Sequence, residues 1–210
     1  FDAFPRGRAF LYEHGQTTQL GTLGGLESGA LGINNSGKIV GYSYLSDESA
    51  YHAFLYSNGA MTDLGTLGGA NSLAFGINNA GQVAGYAYTP IRQSAALNMG
   101  AGTIGLGTLG GQDSSATAVN DSGQAVGWSY VNGNTTLHAF LYSEGKMTDL
   151  GTLGGRWASR ASGINNSGQV IGYASVTGDV AEHAFLYDGG RMADLGTLGG
   201  SSSEAYAINN

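Results

Sequence analysis

The 210-residue chain contains no cysteine, so disulfides, thiol chemistry and Cys-based zinc or iron–sulfur centres are excluded. Proline is nearly absent, with 2 residues, which rules out collagen-like and proline-rich linker readings. Charge is scarce at 11% and leans acidic, with a formal net charge of −7. That leaves no basic footprint for nucleic acid or for an anionic membrane surface. No apolar run approaches the roughly 18 residues of a helical membrane span, so no membrane insertion is expected. Hydrophobic residues, at 41%, are spread evenly, which argues against disorder. The first residue is Phe1, which suggests a processed or excised chain.

What the chain has in excess is glycine, 38 residues, and self-similarity. Gly-Thr-Leu-Gly-Gly occurs at 21–25, 65–69, 107–111, 151–155 and 196–200, with spacings of 44, 42, 44 and 45. Every copy repeats one order of short segments rich in β-branched and aromatic residues, separated by turn chemistry. Asn35-Ser-Gly37, Asn79-Ala-Gly81, Asp121-Ser-Gly123 and Asn166-Ser-Gly168 form one set of tight turns. Glu13-His-Gly15, Ser57-Asn-Gly59, Ser143-Glu-Gly145 and Asp188-Gly-Gly190 form the other. Four antiparallel strands in a repeat of this size match a propeller blade, and no segment suits the helices of other repeat folds. The expectation is therefore an all-β, five-bladed β-propeller occupying residues 1–210 as one domain.

The strand containing Ala74-Phe-Gly-Ile77 is expected innermost. Its copies carry small residues at two alternate positions: Ala30 and Gly32, Ala74 and Gly76, Ala116 and Ala118, Ala161 and Gly163, Ala205 and Ala207. The chain starts near an outer hairpin and stops after an inner strand. The two ends, with a short strand from Phe1–Phe4, are expected to build one shared blade that closes the ring. Phe10, Phe54, Phe140 and Phe185 are expected in the core, and Tyr42, Tyr86, Trp128 and Tyr173 between blades.

His-Ala-Phe at 52–54, 138–140 and 183–185 accompanies Asp-Leu-Gly-Thr-Leu-Gly-Gly and Gly-Ile-Asn-Asn-x-Gly-x-Val-x-Gly-Tyr. These motifs resemble the bacterial extracellular HAF repeat family over nearly the whole chain. Departures fall at Arg8 in the first copy and Ser94-Ala95-Ala96 in the third. The resemblance implies a secreted or cell-surface location and no established reaction.

His and Asp are kept or lost together: His52/Asp63, His138/Asp149 and His183/Asp194 are present, and both members are missing in the other copies. A relay or a metal site is one reading. A hydrogen-bonded pair that pins hairpin register is the other, and it is favoured because no nucleophile recurs beside the pair. The Asn-rich turns lack the carboxylate density of a calcium loop, so neither a metal nor a cofactor is called for. Asn134 is the glycosylation candidate, lying in an irregular loop.

Function is expected where the copies differ, in the connections after Gly-Gly. Trp157 would stack on a sugar, with Arg156, Arg160, Asp113, Asn71 and Glu204 as polar neighbours at the propeller mouth. The expected function is a non-catalytic binding module, with a glycan or another surface or matrix component as partner. A structural or adhesive subunit, able to self-associate, is the alternative. A glycan-active enzyme ranks last, since Glu27, Asp113 and Glu204 show no paired spacing.

Overall fold

The structure is a computed structural model and describes residues 7–178 and 181–210. It is all-β. A hairpin, β1 (Phe10–Glu13) and β2 (Gln16–Gln19), precedes four blades. The first comprises β3 (Gly24–Ile33), β4 (Ile39–Leu45), β5 (Tyr51–Ser57) and β6 (Ala60–Asp63). The second comprises β7 (Ser72–Ile77), β8 (Val83–Tyr88), β9 (Gln93–Asn98) and β10 (Thr103–Gly107). The third comprises β11 (Gly110–Val119), β12 (Ala125–Val131), β13 (Leu137–Ser143) and β14 (Lys146–Asp149). The fourth comprises β15 (Gly154–Ile164), β16 (Val170–Val176), β17 (Glu182–Asp188) and β18 (Arg191–Asp194). Each blade is an antiparallel meander in chain order, and a single parallel bridge, Leu137 to Ala158, links the third to the fourth.

The small residues of the inner strand have a sharper purpose than easing crowding. Register slips by one between Ala30 and Gly32, Ala74 and Gly76, Ala116 and Ala118, and Ala161 and Gly163. Each inner strand therefore carries a β-bulge, which re-aims the side chain of the residue between the two small ones. Opposite the first small residue stands an invariant glycine: Gly41, Gly85, Gly127 or Gly172. A Cβ there would overlap the carbonyl oxygen of Gly29, Leu73, Ser115 or Arg160, so no other residue fits.

Blades are joined by one serine per repeat. Ser28, Ser72, Ser114, Ser159 and Ser203 accept hydrogen bonds from the N–H of Ala9, Ala53, Ala95, Ala139 and Ala184 at 2.8–3.0 Å. The same hydroxyls donate to the carbonyls of Gly21, Gly65, Gly107 and Gly196 at 2.5–2.7 Å, and to Gly151. Each serine thus ties an inner strand to the third strand of the preceding unit and to the glycine that begins the connection. Thr22, Thr66, Thr108, Thr152 and Thr197 then close the connection by donating to the carbonyl three residues on, at 2.5–2.9 Å.

At the far end of the inner strands an asparagine ladder runs from blade to blade. Asn34 Nδ2 donates to the Asn78 carbonyl at 2.9 Å, Asn78 to Asn120 at 2.8 Å, Asn120 to Asn165 at 3.0 Å, and Asn165 to Asn209 at 3.2 Å. These Asn side chains are thereby committed to structure.

Among the described residues the ring is not sealed, contrary to expectation. β1 and β2 form an isolated two-stranded sheet, and residues 205–208 belong to no strand. The ladder ends at Asn209: among the described residues no hydrogen bond returns to Asn34. Phe1–Phe4, expected to contribute a closing strand, lie outside the described residues. In each complete blade the third strand pairs with a second strand, whereas among the described residues β1 pairs only with β2. Phe10 shows the consequence. Phe54, Phe140 and Phe185 are fully buried, whereas Phe10, at the same repeat position, is 59% exposed and not a core residue.

Candidate functional site

The four bulges and the fifth inner segment carry one variable residue each: Leu31, Phe75, Thr117, Ser162 and Tyr206. Three of these copies, Phe75 with Thr117 and Ser162, join Tyr206 in lining a cleft of about 410 Å³. Its other walls come from Ser115, Trp128, Arg160 and Tyr173. Trp128 and Tyr173 thus do more than fill space between blades.

Arg160 lies with its guanidinium carbon 5.0 Å from the centre of the Trp128 ring, a cation–π arrangement. Among the described residues it forms no ion pair. Thr117 is not free to serve a ligand first, since its hydroxyl lies 2.8 Å from the Ala161 carbonyl and bonds the Val126 carbonyl as well. Burial pushes the Tyr173 phenol above its ordinary pKa, with Arg160 pulling the other way and Glu182 and Glu204 adding to the rise. Tyr173 is therefore a neutral hydrogen-bond donor at neutral pH. The cleft offers flat apolar faces, two phenols, of which Tyr206 is bonded to Glu204, and one cation.

Of the six residues expected to form a rim, Arg160 lines the cleft and Glu204 reaches it by bonding Tyr206, and the other four stand apart. Arg160 turns inward to the cleft, while Trp157 stands 58% exposed and away from its lining. Asn71 Oδ1 accepts the Tyr51 N–H at 3.0 Å, and Asp113 Oδ1 accepts the Gln93 N–H at 3.1 Å. Both are staples between one blade's connection and the third strand of the blade before. Glu204 accepts the Tyr206 hydroxyl, and Arg156 is not part of the cleft. Sequence variation in a surface connection suggested ligand contact, but at Asn71 and Asp113 it reflects two side chains performing one backbone-capping task.

His52, His138 and His183 meet Asp63, Asp149 and Asp194 through Nδ1 at 2.8–3.0 Å, in contact with both carboxylate oxygens. Register places each Asp opposite the Phe two residues beyond the His, so the pairs are diagonal across the hairpin. Asp63, Asp149 and Asp194 also accept the N–H of Gly65, Gly151 and Gly196 at 2.7 Å, capping the turn into the connection. For Asp194 the Gly196 N–H and then His183 lower the carboxyl pKa. For Asp149 burial opposes, and the bonds from His138 and Gly151 prevail and lower it. No described hydroxyl bonds to any of the three imidazoles. Asn134 is exposed, with Oδ1 accepting the Gln112 N–H at 2.7 Å.

Arg160 was among the candidates, whereas Phe75, Thr117, Ser162 and Tyr206 were missed in sequence because they sit between the small residues that drew the eye. The available signal was the contrast at that spot: Leu, Phe, Thr, Ser and Tyr flanked by near-constant Ala and Gly.

No family model matches the chain, and no curated protein matches it. Among solved structures it is similar to the β-propeller domain of the Trilobed protease from Pyrococcus furiosus, described as having an open velcro topology. Identity is 12%, coverage is 71% of this chain and 47% of that one, and the TM-score is 0.49. It is also similar to Pyrococcus horikoshii acylaminoacyl peptidase at 12% identity, over 70% of this chain and 22% of that one, with a TM-score of 0.43. The chain thus spans less than half the length of either. The expectation of a non-catalytic glycan-binding module is corrected, because Asn71 and Asp113 are spent capping backbone N–H groups and Trp157 stands apart from the cleft.

Proposed function

We propose that this chain is a peptide-recognition propeller, and that the central cleft holds a peptide end. The observation that carries the reading is Arg160 lying over Trp128, without an ion pair among the described residues, inside an aromatic-walled cleft. A guanidinium fixed on a ring face keeps its N–H edge directed outward, suited to a carboxylate. Phe75, Tyr173 and Tyr206 offer faces for an aromatic or apolar side chain beside that carboxylate. A peptide with an apolar C-terminal residue satisfies both. The peptidase neighbours accord with this role, but the cleft alone supports it. Recognition is assigned here and bond cleavage is not, because the His–Asp pairs stand without a bonded nucleophile among the described residues.

The test is titration of N-acetyl-Gly-Gly-Phe followed by NMR at the Trp128 and Trp157 indoles. The expected result is saturable shifts at Trp128 and none at Trp157. Replacing the terminal carboxylate by an amide, or making Arg160→Met, should weaken binding about tenfold or more, as for a lost charge-assisted hydrogen bond of roughly 1.5–3 kcal/mol. Equal binding of acid and amide, or shifts confined to Trp157, would refute the reading.

A further inference from the structure

A hydroxyl taken out of water without a partner costs free energy, so buried hydroxyls are normally bonded. The buried serines of this fold follow that rule with one exception. The buried interblade latches are each bonded twice. Every other buried serine but one bonds a backbone group. The exception is Ser115, only 2% exposed, whose hydroxyl makes no hydrogen bond among the described residues. No polar side-chain atom that is sealed from solvent among those residues lacks a partner. The Ser115 hydroxyl therefore opens onto the central cleft that Ser115 lines.

Its neighbours explain what the hydroxyl faces. Ser115 on β11 and Arg160 on β15 hold the same repeat position on neighbouring inner strands, each just before a buried alanine, Ala116 or Ala161. Ser115 stands directly opposite Trp128 in the β11–β12 register, so both side chains leave the same face of the sheet. Arg160 reaches from its own blade over the Trp128 ring. Hydroxyl, indole and guanidinium thus share one wall of the cleft, between the third and fourth blades. The guanidinium, like the hydroxyl, makes no hydrogen bond among the described residues. Of the five copies of this repeat position only Ser115 and Arg160 are donors, since Gly29 and Leu73 have no polar side chain and an ionised Glu204 only accepts.

A carboxylate has about four acceptor positions, and a guanidinium fork fills two of them. We infer that Ser115 is the second anchor of the cleft, its hydroxyl donating to the terminal carboxylate of the bound peptide beside the Arg160 guanidinium. The inference rests on the peptide-end reading of the cleft and adds the group that turns attraction for an anion into selection of a free C-terminal acid. A ligand that brings no acceptor to this wall shuts the Ser115 hydroxyl in without a partner, which is how a binding site rejects a close analogue.

The test is the titration of N-acetyl-Gly-Gly-Phe and of its C-terminal amide into the parent chain and into Ser115→Ala, read at the Trp128 indole. Ser115→Ala should weaken binding of the acid about tenfold and of the amide about threefold, because a hydrogen bond to a charged acceptor is roughly twice as strong as one to a neutral acceptor. The free variant should melt no lower than the parent, since this hydroxyl holds nothing in the fold. Ser114→Ala, one residue away, breaks a latch and supplies the contrast. Acid binding that survives Ser115→Ala unchanged overturns the inference and leaves the role of Arg160 standing. Equal weakening of acid and amide, or a melting temperature that falls as far as that of Ser114→Ala, makes the hydroxyl structural and also overturns it. A parent chain that does not bind the acid overturns the peptide-end reading and this inference together.

Discussion

Replacing Ser114 by Ala removes one hydroxyl and strands two backbone groups. The Ala95 N–H, in a fully buried residue, loses its acceptor at 2.8 Å, and the Gly107 carbonyl loses its donor at 2.6 Å. An unsatisfied buried donor costs about 1–3 kcal/mol and a second lost hydrogen bond about 1 more, so the variant should lose about 2–4 kcal/mol. For a domain of this size that corresponds to a fall in Tm of roughly 5–15 °C. Calorimetry of Ser114→Ala beside Ser201→Ala, an exposed serine two residues before the last latch, measures it directly. Ser203→Ala should cost less than Ser114→Ala, because Ser203 is only partly buried. If Ser114→Ala melts within a degree or two of Ser201→Ala, about the difference between two silent surface changes, the serine latch does not hold the blades together.

Phe140→Ala should destabilise the protein by about 3–5 kcal/mol, as for a large buried ring. Phe10→Ala should cost under about 1 kcal/mol, the range of exposed substitutions; chemical denaturation of both separates a core position from its unpartnered copy. The acid limb of stability should follow Asp149 and Asp194. Their folded pKa values lie below the ordinary carboxyl value of about 3.9, so their contribution is present above that pH and is lost as pH falls through the lower folded values. Thermal melts from about pH 5 to pH 3 should show Asp149→Asn/Asp194→Asn losing less than the parent, modestly so because both carboxylates are part-exposed. An unchanged slope would remove the pairs from the account of acid stability.

The repeat made the blade legible. Turn residues at fixed offsets and the Gly-Gly joint set four strands per unit and their order, and His52 with Asp63 announced a hairpin contact. What could not be read was any feature that depends on a neighbour across the ring. Phe10 and Phe140 occupy the same motif position, yet one is buried and the other exposed, because a second strand stands beside only one of them. The bulges escaped for a related reason: Ala74 and Gly76 look like crowding relief until the register slip between them is seen to set Phe75 apart. Asn71 and Asp113 misled in the opposite direction, since a polar side chain capping a backbone N–H and one awaiting a ligand look the same in a sequence.

Residue-resolved amide exchange on the free chain tests the open seam most directly. The amides of Phe54, Phe140 and Phe185, each on a strand paired on both sides, should exchange slowly, and those of Phe10 and Tyr12 at close to the rate of unprotected backbone. Protection at Phe10 and Tyr12 equal to that at Phe140 would mean that a strand already lies along β1, and the four-bladed open arc described here would be wrong.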